Sequence, residues 1–178
     1  MNNILEVKDL TMHYETIDGD VEAVKNISFN VGPGESFGIV GESGCGKTSV
    51  AMSLLQLQAE NGKISNGSIL FNGIELVGMS ENDLRKVRWD GMSIVFQGAM
   101  NAWNPVVKIG EQIREAMREH YPESSKSQNT DKINELFTMV GLDPLVADRF
   151  PHELSGGMKQ RAIIALALSC DPKLVIAD

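Results

Sequence analysis

Eight residues, Gly41-Glu42-Ser43-Gly44-Cys45-Gly46-Lys47-Thr48, constrain this chain more than any other stretch. Four arbitrary residues separate a first glycine from Gly-Lys-Thr, which is the spacing of a phosphate-binding loop. Apolar Phe37, Ile39 and Val40 come just before it and predict a strand. Ser49-Val50-Ala51-Met52-Ser53-Leu54-Leu55 follows and predicts a helix start. Strand, glycine loop and helix together form the context the pattern needs. Glycines let backbone N–H groups curl around phosphate oxygens without Cβ clashes. The helix N-terminus adds the positive end of its dipole. In such a loop Lys47 reaches the β- and γ-phosphates of a nucleotide, and the Thr48 hydroxyl ligates Mg²⁺.

The rest of the chain has room for a core around this loop. Its 178 residues suit one domain with space for a subdomain. An apolar content of 42% with 22% charged residues is that of a globular chain. The net charge of −8 argues against a nucleic-acid partner. The two cysteines, Cys45 and Cys170, form no disulfide framework and show no metal-ligand spacing, which suits a reducing cytosol. Cys45 reads as a small filler of the loop rather than a redox sensor. The first residues, Met1-Asn2-Asn3-Ile4-Leu5-Glu6, lack the basic-then-apolar order of a signal peptide. The longest apolar run, 162–168, is far below the roughly 20 residues of a membrane span.

Before the loop, Leu5 and Val7 alternate with Glu6 and Lys8, predicting a strand over 4–10. Asp18-Gly19 predicts a hairpin turn. Ile27, Phe29 and Val31 predict a further strand, and Pro33-Gly34 a turn. Asn61-Gly62 and Asn66-Gly67 read as a loop. Ile69-Leu70-Phe71, Asn72-Gly73 and Ile74-Glu75-Leu76 then read as a compact hairpin. Ser80 with Asp83 resembles a capping box before a short helix through Arg88. Residues 92–96 predict a buried strand with Gln97 at its end. There the glutamine serves either as a polar strand cap or as a sensor of metal or attacking water at the sheet's ligand edge.

From Gly98 onward strand signals fade. Ile109, Ile113 and Met117 mark a helix face, residues 121–131 read as a polar, serine-rich loop or mobile link, and Ile133, Leu136, Phe137 and Val140 mark a second helix. Met100, Met117 and Met139 read as core filler. Pro144 and Pro151 bound short segments. Leu154-Ser155-Gly156-Gly157-Met158-Lys159-Gln160-Arg161 leads into an apolar helix over 162–169. Ser155 caps that helix. As a local pattern the two glycines are either an ordinary cap or a second anion site at a helix N-terminus. Leu174-Val175-Ile176-Ala177-Asp178 is a buried strand presenting a terminal carboxylate, the position from which an aspartate holds Mg²⁺.

Taken together, these motifs resemble the ATP-binding subunits of ABC transporters across essentially the whole chain. The most specific match is the stretch Leu154 to Arg161, which resembles the family's signature sequence. The resemblance implies an α/β P-loop NTPase core with an antiparallel β subdomain and an inserted helical subdomain. The core takes 1–97 and 159–178, and the helical subdomain takes 98–158. It implies that Gly41, Glu42, Ser43, Gly44, Cys45, Gly46, Lys47, Thr48 and Ser49 bind ATP as the Walker A loop. Tyr14 matches the aromatic that stacks on adenine, against the plainer reading of a strand-edge aromatic; His13 reads as a surface residue. Lys47 and Gln97 are the catalytic matches. Thr48, Gln97 and Asp178 are the Mg²⁺ matches, and Ser155, Gly156, Gly157, Met158 and Gln160 face the ATP of a partner subunit. Asn104-Pro105, Ile109-Gly110-Glu111-Gln112-Ile113 and Phe150-Pro151-His152-Glu153-Leu154 resemble the importers of dipeptides and oligopeptides, features shared with importers of nickel and of sugar oligomers.

This implies an ATPase on the cytoplasmic face of the membrane, peripheral, paired with a second ATPase subunit and with membrane permease subunits. The family's glutamate, which follows the Walker B aspartate, has no match here. The chain is therefore expected to be C-terminally incomplete, binding nucleotide with little or no turnover. Two other readings stand beside it: a non-transport ABC ATPase, and a nucleotide-binding fragment without turnover. Against the first, the stretch between loop and signature lacks the sustained heptads of repair relatives.

Overall fold

A computed structural model describes residues 3–98 and 101–178. Met100, read above as core filler, lies outside them. The chain divides into two compact units, 1–84 and 85–178.

The first unit is built on a four-stranded antiparallel sheet in the order β2-β1-β3-β4. Its strands are β1 (Leu5–Thr16), β2 (Gly19–Val31), β3 (Gly62–Phe71) and β4 (Ile74–Glu75). β1 is longer than its alternation predicts, because its buried positions change parity partway. Leu5 and Val7 are buried, then Leu10 and Met12. The switch is a bulge at Asp9, whose φ is 48°. Val7 pairs with Phe29 and Leu10 with Ile27, so β1 advances three residues while β2 advances two. On the other side Lys8 pairs with Ser68 and Thr11 with Asn66, the same mismatch. Side chains take the freed backbone groups: Asp9 N donates to Ser28 Oγ at 2.8 Å, and Asn66 Nδ2 donates to Asp9 O at 3.0 Å.

Residues 61–67, read from sequence as loop, are mostly strand. Gly67 belongs to the bulge rather than to a turn. At φ 104° a Cβ there would stand 2.6 Å from Lys8 O and 2.6 Å from Leu10 Cα, so only glycine lets β3 pass β1 this closely. The Asn72-Gly73 hairpin between β3 and β4 forms as predicted. The β1–β2 hairpin turns on Ile17-Asp18, one residue earlier than expected, with Thr16 paired to Gly19.

Helix α1 (Lys47–Leu54) begins two residues before its expected start and lies against β2. Residues 35–46 form no strand, although 37–40 are apolar. Phe37 and Ile39 are partly exposed and Val40 is 96% exposed. An extended segment becomes a strand only when a neighbour takes its N–H and C=O groups. Among the described residues no backbone hydrogen bond joins 36–41 to another strand. The Pro33-Gly34 turn does form, with Glu35 N donating to Gly32 O at 3.2 Å. Helix α2 (Glu81–Val87) starts at the predicted cap, where Asp83 N donates to Ser80 Oγ at 3.3 Å.

The second unit holds two parallel strands, β5 (Met92–Val95) and β6 (Leu174–Ala177), in register from Met92↔Leu174 to Val95↔Ala177. Between them run α3 (Ile109–His120), α4 (Lys126–Met139) and α5 (Gly156–Leu168), with 3₁₀ turns at Pro144–Asp148 and Pro151–Glu153. No strand occurs among the described residues from 98 to 173, as the sequence predicts. Ile109, Ile113 and Met117 of α3, Ile133, Leu136 and Phe137 of α4 and Ala162, Ile163 and Ala165 of α5 share one core with Trp103. Met117 thus fills core as expected, whereas Met139 is 65% exposed. The polar link read at 121–131 is shorter than expected. Ser125 caps α4 in a capping box with Gln128, so the helix claims 126–131. Here cap chemistry outweighed the serine-rich composition.

Candidate functional site

The loop at 41–48 sits between the Pro33-Gly34 turn and α1. Residues 41–45 are exposed. Lys47 Nζ curls back over the loop, donating to Gly41 O at 2.8 Å and Glu42 O at 2.7 Å, with Cys45 Sγ at 3.6 Å. Cys45 N donates to Glu42 O at 3.3 Å. The ammonium therefore stands at the mouth of a ring of backbone groups, and its present acceptors are the loop's own carbonyls. Gly44 and Gly46 both have positive φ, 83° and 92°. Gly46 is the N-cap of α1, and a Cβ on it would lie 2.2 Å from Ala23 O of β2. The loop is thus pinned at one glycine against a neighbouring strand, while Ser43 and Gly44 project outward.

Tyr14 and Ser49 meet at the start of α1. Tyr14 Oη lies 3.2 Å from Ser49 Oγ, and Ser49 is buried. This brings the sequence-predicted aromatic within a hydrogen bond of the predicted loop. Sequence reasoning assigned Tyr14 through its ring and missed the hydroxyl contact, which depends on the register of β1 beside α1. His13, beside it, lies 3.7 Å from Asp20 on β2. Thr48 is exposed on the first turn of α1.

In the second unit the ladder places Gln97 and Asp178 at one end of the parallel pair. Asp178 N donates to Val95 O at 3.0 Å, carrying the β5–β6 pairing one step past Ala177. Both residues lie at the carboxyl ends of their strands, are exposed, and offer oxygen donors. The amide oxygen of Gln97 and the carboxylate of Asp178 are hard ligands of the kind that suits Mg²⁺, which binds through few protein groups plus substrate phosphates. No group of three His, Cys, Asp or Glu suited to a metal occurs among the described residues.

Ser155 caps α5 as the sequence predicts, and the helix starts at Gly156, six residues before the apolar stretch expected to form it. Ser155 is the N-cap of α5 and its Oγ accepts from Met158 N at 3.3 Å. Ser155, Gly156, Gly157 and Gln160 are exposed and Met158 is partly buried. Arg161 fixes the turn before the helix, its NH1 donating to Gly141 O at 2.7 Å and its Nε to Gly157 O at 3.3 Å. The result is a braced, exposed helix start, whose positive dipole end favours an anion. Arg161's bracing role was not legible from sequence, because Gly141 lies 20 residues away.

Comparison with known proteins gives a consistent picture. The family profile described as ABC transporter matches residues 24–178. The chain is 40% identical over 177 residues to the dipeptide transport ATP-binding protein DppD of Lactococcus lactis, covering 98% of this chain and 51% of that one. It is 43% identical over 178 residues to the oligopeptide transport ATP-binding protein OppD of Escherichia coli, covering 98% and 52%. The chain spans about half the length of these curated relatives. Among solved structures it resembles a dimeric, post-hydrolysis state of the ATP-binding cassette MJ0796 bound to ADP and Pi. The TM-score is 0.87 at 28% identity, covering 98% of this chain and 73% of that one.

Proposed function

The chain belongs to the ABC transporter family, and on that premise we propose that it is the ATP-binding part of a subunit that powers peptide import. The reading assigns ATP to the loop of residues 41–49, with the adenine against Tyr14. The observation that carries it is the Lys47 ammonium at the mouth of the glycine loop, 2.8 Å and 2.7 Å from two loop carbonyls. On nucleotide binding Lys47 exchanges those carbonyls for phosphate oxygens, a stronger, charge-assisted pairing. Thr48 of the first unit, and Gln97 and Asp178 of the second, would each supply an oxygen to Mg²⁺, which would neutralise charge on the phosphate oxygens. Gln97 orients the water that attacks the γ-phosphate, giving ADP and phosphate.

The exposed start of α5, at Ser155, Gly156, Gly157, Met158 and Gln160, receives the phosphates held by a second ATPase subunit. Residues 98–158 act as the helical subdomain inserted in a core of 1–97 and 159–178, and they relay the nucleotide state to membrane permease subunits. No helix among the described residues is long and apolar enough to cross a membrane. In this reading the protein works as a peripheral subunit on the cytoplasmic face, and the imported solutes are dipeptides or oligopeptides.

Titration with a fluorescent ATP analogue, with and without Mg²⁺, tests the reading. Saturable binding is expected, weakened at least about tenfold by Lys47→Ala, the equivalent of one charge-assisted phosphate contact. Equal binding by the variant refutes the assignment of the loop. Uptake of a labelled dipeptide by cells co-expressing the membrane subunits, unchanged by Lys47→Ala, refutes the transport role.

A further inference from the structure

The chain holds three Asn-Gly pairs, Asn61-Gly62, Asn66-Gly67 and Asn72-Gly73, and all three fall on or beside β3. Such a pair is open to loss of the side-chain amide, because glycine has no Cβ to shield its backbone nitrogen from the asparagine carbonyl carbon. The fold treats the three differently. Asn61 Nδ2 donates to Glu15 O at 3.0 Å, and Asn66 Nδ2 donates to Asp9 O at 3.0 Å. Both side chains are therefore tied to the backbone of β1. Their glycines are held as well. Gly62 N donates to Ala59 O at 2.7 Å, and Gly67 is wedged in the bulge, where an added Cβ would stand 2.6 Å from Lys8 O. Opening either pair also breaks into the β1–β3 ladder, which runs from Leu5↔Phe71 to Tyr14↔Gly62.

Asn72-Gly73 is placed otherwise. Both residues are exposed, and a Cβ on Gly73 would meet nothing within 4 Å. Among the described residues, neither the Asn72 side chain nor Gly73 N makes a hydrogen bond. Their φ values of 49° and 78° are those of the tight primed turn that joins a two-residue hairpin. The strand beyond, β4, is only two residues long. Opening the turn therefore gives up at most the pairs Phe71↔Ile74 and Leu70↔Glu75. A short edge pairing of this kind opens locally far more often than the ladder beside it.

We propose that Asn72 is a site of spontaneous modification, losing its side-chain amide to the backbone nitrogen of Gly73, while the fold protects Asn61 and Asn66. In this step Gly73 N gives its proton to hydroxide and bonds to Asn72 Cγ. The Cγ–Nδ2 bond breaks, and the nitrogen leaves as ammonia after taking a proton from water. The product is a five-membered succinimide. Water then opens the ring at either carbonyl, leaving aspartate or isoaspartate. Either product adds one negative charge at the hairpin tip. Isoaspartate also routes the main chain through Cβ, which a two-residue turn cannot absorb without a change of register. The register that seats the Glu75 carboxylate against Ser68, Ile69 N and Val77 N is lost with it. The aged protein is thus a distinct form in which β4 is released from β3, whether or not the nucleotide reading holds.

The test is to hold the full chain in mildly alkaline buffer at body temperature, sample it over days and follow the exchange of side-chain NH₂ for OH by peptide mass spectrometry. Fragment ions assign each gain to Asn61, Asn66 or Asn72. In the folded protein Asn72 is expected to react at least about tenfold faster than either other site, since each of those must first break a hydrogen bond and open part of a ladder. In concentrated urea the three rates should converge, because each is then an Asn-Gly pair in an open chain. Isoaspartyl methyltransferase with labelled S-adenosylmethionine should tag the aged protein within its tryptic peptide 64–85, and Asn72→Gln should remove that tag. The proposal is overturned if Asn72 reacts no faster than Asn61 or Asn66 in the folded chain, if its lead persists in urea, or if the tag in that peptide survives Asn72→Gln.

Discussion

Substituting alanine at Gly46 separates two costs that usually occur together. Gly44 and Gly46 both have positive φ, 83° and 92°. Alanine at either position meets the left-handed penalty of about 1 kcal/mol or slightly more, partly offset by reduced freedom of the unfolded chain. At Gly44 nothing lies within 4 Å of the added Cβ, so that is the whole cost. At Gly46 the Cβ would stand 2.2 Å from Ala23 O. Relieving this takes a shift of about 1 Å between the start of α1 and β2, at an overpacking cost of about 1–3 kcal/mol. Gly46→Ala is thus expected to lose about 2–4 kcal/mol in total and Gly44→Ala about 1 kcal/mol. With a urea m-value of about 2 kcal/mol/M, the midpoints should fall by about 1–2 M and about 0.5 M. Far-UV circular dichroism in urea measures both. Coincident midpoints for the two variants would show that the Ala23 carbonyl does not pin the loop, and the argument for a braced phosphate site would fail with it.

Ser155→Ala removes the α5 cap and should cost about 0.5–1 kcal/mol, at the low end because its bond to Met158 N is 3.3 Å; urea denaturation reads it. Tyr121 donates to Cys170 O at 2.9 Å and to Asp90 at 3.3 Å, and burial, with the nearby Asp90 charge, pushes its hydroxyl up to about 12. The neutral phenol is therefore favoured by the fold. Its contribution is complete below about pH 10 and declines as pH rises toward about 12. Tyr121→Phe should lower the thermal midpoint at neutral pH by one hydrogen bond's worth, about 1 kcal/mol, and flatten the alkaline decline. Glu75 is exposed, and the slight desolvation of its carboxyl alone would raise its pKa. Hydrogen bonds from Ser68, Ile69 N and Val77 N outweigh this and hold it below the ordinary 4.5. Its stabilising effect is present above about pH 4.5 and is lost as pH falls through the lowered value, so the gap between wild type and Glu75→Gln should close on acid titration.

What the sequence reveals depends on how local each cause is. The helix faces of α3 and α4 were legible because Ile109, Ile113 and Met117, like Ile133, Leu136 and Phe137, repeat within one element. The caps at Ser80 and Ser155 were legible for the same reason. The loop at 41–48 was legible in its residues and in the helix that follows it, but not in the strand expected before it. The apolar character of 37–40 states a preference, whereas a strand is a pairing and needs a neighbour. β3 shows the converse: Asn61-Gly62 and Asn66-Gly67 look like turns by composition, yet β1 recruits them into a ladder. The Tyr14–Ser49 contact and the Arg161 brace join residues 35 and 20 positions apart, beyond the reach of any local pattern.

The bulge at Asp9 bears on how this fold can change length over evolutionary time. Both neighbours of β1 accommodate the same extra residue, β2 through Ser28 and β3 through Asn66 and Gly67. Deleting Asp9 alone would return β1 to a simple alternation in which Leu5, Val7, Leu10 and Met12 still share a face, but Ser28 and Asn66 would lose the backbone groups they now bond. The constraint at Asp9 therefore lies in the bulge's own hydrogen bonds, which tie β1 to both of its neighbours. The sheet's length is set by three distant stretches together, so homologues should vary in the hairpin tip at Ile17-Asp18 long before they vary at Asp9.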